Sequence, residues 1–177
     1  MAKDENVTTK FKVDISDLKR NINEANNQIK LANAQFKNAT VGMDDWSRSA
    51  DGLSAKIKAQ QAIIDAEKSK LAALKEQLAR VNKAQEDSEK EIEQLNTAYK
   101  EAVEQFGENS REAQNYAKQL EAAEKAQQKN ADAADKLTIQ IVNQDTAVQE
   151  AEHALAGYES ALNGLDSSTE NAEDATE

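Results

Sequence analysis

The sequence predicts an all-α fold: a long coiled-coil rod preceded by a shorter helix. Three observations carry that expectation. From Leu53 to Leu165 a seam position recurs in alternating steps of three and four residues, and such steps average about 3.5, the period of a left-handed coiled coil. No proline occurs in 177 residues, where average usage of about 5% would supply several. Ala, Glu, Lys, Leu and Arg make up nearly half of the chain, a composition typical of long helices. Aromatic residues are only 4%, too few for a thick core, so the apolar stripe needs a partner helix to cover it.

Residues 1–14 read as a flexible N-terminus, with Phe11, Val13 and Ile15 alternating with polar neighbours as a short strand would. A helix is expected over 15–41, with Ser16 or Asp17 as its N-cap. Its stripe is Leu18, Ile22, Ala25, Ile29, Ala32, Phe36 and Ala39, and Gly42 suits a left-handed ending. Residues 42–52 form a connector in which Asp44 or Asp45 caps a short helix and Asp51-Gly52 signals a turn. Trp46, the only tryptophan, lies between Met43 and Leu53. It either covers the junction of the first helix with the rod or anchors a partner, and Phe36, Met43 and Trp46 are the candidate partner contacts.

The first rod helix is expected over 53–106, with Ile57, Ile64, Leu71, Leu74, Leu78, Val81, Ile92, Leu95 and Tyr99 in its seam. The second, over 111–165, sets Leu120, Leu137, Ile141, Val148 and Leu155 there. Between them, 107–110 reads as a turn: Gly107 suits the position after a helix, and Asn109 or Ser110 suits an N-cap, with Glu112 completing a capping box on Asn109.

Two architectures satisfy this pattern. One is an antiparallel hairpin with arms of about 80 Å; the other is one continuous helix of about 170 Å in a parallel homo-oligomer. The second stays open because the seam passes through Phe106, Asn109 and Ala113 without a phase break. A mirror in the sequence favours the hairpin. Reversal near Glu108 sets Gln85 and Ser88 against Asn130 and Gln127, and Ile92 to Tyr99 against Tyr116 to Ala123. Polar layers then oppose polar layers, which avoids burying an unpaired amide at about 1–3 kcal/mol. Glu67, facing Glu150 and Ala151, is the weak place in this scheme. Residues 166–177, with five acids and no base, read as a disordered acidic tail.

The net charge of −11 offers no clustered Lys and Arg to displace counterions from nucleic acid, and it suits anionic membranes poorly. No apolar run approaches the roughly 20 residues a spanning helix needs. The polar opening MAKDENVTTKFKV lacks the apolar stretch of a secretory signal, so export is not expected. The chain has no cysteine, and its one histidine, His153, lies off the seam. Asp44, Asp45 and Asp51 lack calcium-loop spacing. No catalytic, cofactor-binding or metal-ligating residue is assigned, and no enzyme activity is expected.

The stretch KVDISDLKRNINEANNQIKLANAQFKNATVGMDDWSRSADGLSAKI, residues 12–57, resembles the N-terminal segment of tail tape measure proteins of long-tailed phages and prophages. AYKEAVEQFGENSREAQ, from Ala98 to Gln114, is similar to a second run of that family's coiled-coil region. Together they span about a third of the chain. The resemblance implies a structural virion protein that sets tail length while the tail tube assembles around it. It implies further copies of the chain (a trimer by family analogy), the tail tube protein and tail assembly chaperones as partners. The expected locations are the virion tail and, during assembly, the host cytoplasm. Membrane-spanning and lytic segments found elsewhere in such proteins are absent here, so an N-terminal portion is expected. The alternative class is a non-viral coiled-coil adaptor or secretion-system-like interaction module.

Overall fold

A computed structural model describes residues 13–174. It contains helix α1 (Ser16–Ala39), a 3-10 turn at Trp46–Arg48, helix α2 (Ala50–Phe106) and helix α3 (Arg111–Asp174). The fold is all-α, and no strand occurs among the described residues. Of the alternating segment that suggested a strand, Val13 to Ile15 have no regular structure and Phe11 lies outside the described residues.

The chain divides into two compact units. Among the described residues, one comprises Leu74–Gln140 with 13–16, and the other Asp17–Ala73 with 141–174. In the first, α2 and α3 are joined as a hairpin, so the continuous-helix alternative is not the structure adopted here. Gly107 reverses the chain at φ 88°, a left-handed conformation that costs a glycine little. Its N–H donates to Val103 O at 2.9 Å, and Ser110 N–H donates back to Gly107 O at 3.1 Å. The cap of α3 is Ser110, whose Oγ accepts from Ala113 N at 3.2 Å. Asn109, the other candidate, instead offers its backbone carbonyl to Gln114 Nε2 at 3.3 Å; the hydroxyl one residue nearer the helix has the shorter reach to its third N–H.

Near this turn Leu95, Leu120 and Ala123 form a buried cluster, with Ile92, Tyr99, Tyr116 and Ala126 packed against it. Ile92 to Tyr99 thus face Tyr116 to Ala123, the mirror that the sequence suggests. The same register brings Ala102 to Ala113, both buried.

In the second unit α2 carries two buried stripes. The seam supplies Leu53 and Ile64, and burying a leucine as fully as Leu53, 1% exposed, contributes roughly 2–3 kcal/mol. A separate stripe of Ala59, Ala66 and Ala73 is also buried, and it matches Leu18, Ala25 and Ala32 of α1, each 2% exposed. The Lys56 ammonium sits 4.8 Å from the Phe36 ring centroid, which sets the last turns of α1 beside the start of α2. Small side chains allow two helices to approach closely and keep continuous van der Waals contact.

Three boundaries differ from the sequence reading. The carboxylate at the start of α1 is that of Asp14, which accepts from Ser16 N at 3.0 Å; Ser16 and Asp17 are already helical. Asp51 and Gly52 lie in the first turn of α2 and not in a turn before it, because Ser49 caps that helix: its Oγ accepts from Gly52 N at 3.3 Å and its carbonyl from Leu53 N at 2.9 Å. Helix α3 runs past Leu165 to Asp174, where a disordered tail is expected. No proline and no glycine follow Gly164, and extending an existing helix costs far less than starting one.

Candidate functional site

The connector between α1 and α2 builds an aromatic junction within the second unit. Helix α1 ends with Thr40 N donating to Phe36 O at 3.1 Å, and Gly42 turns the chain at φ 84°. Asp45 then caps the 3-10 turn, its Oδ1 accepting from Ser47 N at 3.1 Å and from Ser47 Oγ at 2.6 Å. Those bonds, with the Arg48 guanidinium 3.3 Å from the other carboxylate oxygen, hold the Asp45 carboxyl below its ordinary pKa; the Ser47 hydroxyl is the largest cause.

This turn delivers Trp46 onto the first turn of α2. An added Cβ at Gly52 would lie 2.8 Å from both Cα and Cβ of Trp46, so only glycine lets the indole-bearing residue sit this close. The Trp46 ring meets Phe36 edge-on at 5.1 Å between centroids and Tyr158 at 6.0 Å, the T-shaped geometry that aromatic quadrupoles favour. The Lys56 ammonium lies 4.8 Å from the Phe36 ring and 5.4 Å from that of Tyr158. One residue of α1, one of the connector, one of α2 and one of α3 are clasped together.

Of the three candidate partner contacts, Phe36 and Trp46 are therefore brought together. Met43 is half-buried in the connector, its N–H donating to Thr40 O at 3.2 Å. Tyr158 and Lys56 are members that sequence reasoning missed. Trp46 is half-buried with its ring engaged by two neighbours, so it covers the junction.

Among the seam residues, Ile64, Leu74, Val81, Leu95, Leu120, Leu137 and Val148 are buried. Ile57, Leu71, Leu78, Ile92, Tyr99, Ile141 and Leu155 are half-buried. In the second unit the seam carries polar ties as well. Gln60 Nε2 donates to Ala151 O at 3.0 Å, Gln144 Nε2 to Glu67 O at 3.1 Å, and Lys68 lies 2.7 Å from Glu152. Glu67 is not the weak place that the sequence suggests: Gln144 reaches it one turn along the helix, and Lys70 Nζ is 2.8 Å from its carboxylate.

Among the described residues no group of three or more His, Cys, Asp or Glu side chains is placed to hold a metal ion. No helix among them is long and apolar enough to cross a membrane. His153 is exposed on α3. The depression lined by Lys90, Glu93, Gln94 and Thr97 follows a single face of α2. No protein-family model, curated protein or solved structure matches the chain.

Proposed function

We propose that this chain is a structural virion protein, the N-terminal part of a phage tail tape measure protein that sets tail length and scaffolds tube assembly. The observation that supports this reading is the phase of the seam at the reversal. Phe106, Asn109 and Ala113 keep the three-four step on either side of Gly107, although the chain turns back there. A chain so built passes from hairpin to continuous helix without re-registering its seam, and its length then follows residue count at about 1.5 Å per residue. In this reading its partners are further copies of itself, as a trimer, the tail tube protein and tail assembly chaperones. It works in the virion tail after assembly in the host cytoplasm.

The test is electron microscopy of particles carrying the chain with four heptads deleted in frame from α2. The tail is expected to shorten by about 40 Å. A tail of unchanged length overturns the reading.

The chain reversal at Gly107 favours a second reading as a helical interaction module of an adaptor or secretion-system kind. Under that reading the deletion weakens partner binding and alters no assembly length.

A further inference from the structure

The seam outruns the hairpin. Phe106 keeps the step of four from Ala102, and Ala113 follows it one heptad later. Yet Phe106 is 61% exposed, because it ends α2 and the chain reverses before any residue of α3 lies over it. Of the exposed large apolar side chains, Leu31, Val41, Ile139 and Val142 lie off the seam, and Phe106 lies on it.

The reversal itself rests on local groups. Gly107 takes φ 88°, Ser110 N–H donates to Gly107 O at 3.1 Å, and Ala113 N–H donates to Ser110 Oγ at 3.2 Å. No proline lies in 107–110. The bond from Gly107 N–H to Val103 O already has the spacing of a helix. A straight path through 107–110 gives up the two Ser110 bonds and continues that ladder.

A straight chain also parts its α2 from its own α3, and a second copy restores what is lost. Two straight chains related by a two-fold axis between Gly107 and Glu108 remake each contact of α2 with α3 between copies. Leu95 again lies against Leu120, Gln60 donates to Ala151 O, and Gln144 donates to Glu67 O. The register that faces Tyr99 with Tyr116 and Ala102 with Ala113 then runs on. It sets Phe106 of each copy opposite Asn109 of the other, a layer that the hairpin lacks. The two Phe106 rings become diagonal neighbours across the axis and cover one another.

We infer that the chain forms an arm-exchanged dimer with a second copy of itself, with Phe106 and Asn109 as its central layer, while the dilute chain stays the hairpin. The surface offered to the second copy is the seam itself and not an outer face. The inference goes beyond the tape measure reading and does not rest on it.

The test uses the whole chain with spin labels at Lys90 and Lys125, mixed unfolded with excess unlabelled chain and refolded at low and at high concentration. Light scattering identifies the monomer and dimer fractions. Within one labelled chain the labels lie about 50 Å apart in the dimer and about 20 Å apart in the monomer. Gly107→Ala penalises the reversed backbone and favours helix, so it raises the dimerisation constant by about a hundredfold, tenfold for each turn. Phe106→Ser lowers that constant by about tenfold and leaves the melting of the monomer unchanged, since the side chain is exposed there. A parent chain that stays monomeric at every concentration overturns the inference. So does a dimer whose labels remain near 20 Å, which joins intact hairpins by another face, or a dimer indifferent to Phe106→Ser.

Discussion

The Gln144 side-chain amide donates to the backbone carbonyl of Glu67 at 3.1 Å and also meets the Glu67 carboxylate, which Lys70 neutralises from 2.8 Å. One amide thus ties α3 to α2 at a point where a seam carboxylate would otherwise be buried alone. Replacing Gln144 with Leu puts an apolar side chain on a polar neighbour and strips Glu67 of its cross-helix donor. The expected loss is about 1–3 kcal/mol, read from urea denaturation followed by circular dichroism. A neutral or stabilising result contradicts the role assigned to this pair.

Two glycines of the helices answer alanine with opposite signs. At Gly157 a Cβ meets nothing within 4 Å, so Gly157→Ala stabilises by about 0.5–1 kcal/mol through helix propensity. At Gly52 the Cβ runs into Trp46 backbone and Cβ atoms at 2.8 Å and closer, so the connector must move. Gly52→Ala destabilises by about 1–3 kcal/mol and shifts the emission of the single tryptophan. Equal responses at the two positions in thermal melts contradict this account of the junction.

The aromatic clasp predicts energetic coupling between residues on different elements. A double-mutant cycle on Phe36→Leu and Trp46→Leu gives a coupling of about 0.5–1.5 kcal/mol. Lys56→Met weakens the fold by about 0.5–1 kcal/mol through loss of its ring contacts. Coupling near zero means that the rings are neighbours without interacting.

Stability declines at both ends of the pH range. Asp45 is held below its ordinary pKa by Ser47 and Arg48, and Glu121 by Lys125. Their contribution is complete above the ordinary carboxylate pKa and is lost as pH falls through the lowered values. Lys68 is raised by Glu152, so its contribution is complete below the ordinary lysine pKa and is lost as pH rises through the raised value. All three are exposed, and each effect is small. In melts across pH, Asp45→Asn flattens part of the acid limb and leaves the alkaline limb as it was.

Much of this fold is legible in the sequence, and the parts that are not share a cause. The seam from Leu53 onward announces itself because its large apolar residues recur at a fixed period, and Gly107 and Ser110 mark the reversal by their chemistry. The mirror of Ile92 to Tyr99 with Tyr116 to Ala123 follows from those two facts. The second stripe of α2, Ala59, Ala66 and Ala73, is invisible to such a reading. Alanine is equally at home on a helix surface, and only the packing of α1 buries these three. The Trp46 and Tyr158 contact joins residues remote in sequence, and no local pattern encodes it. Gln144 falls on the seam, but its bond to Glu67 depends on which groups the opposite helix presents one turn away.

The most direct test of the hairpin is the distance between spin labels at Lys90 and Lys125, both exposed and on opposite arms of the hairpin unit. Labelled chain diluted into unlabelled chain reports the intramolecular distance alone. Packed antiparallel arms hold the labels within about 20 Å. A distribution centred near 50 Å, the span of the intervening residues in one unbroken helix, contradicts the reversal at Gly107 and with it the fold described here.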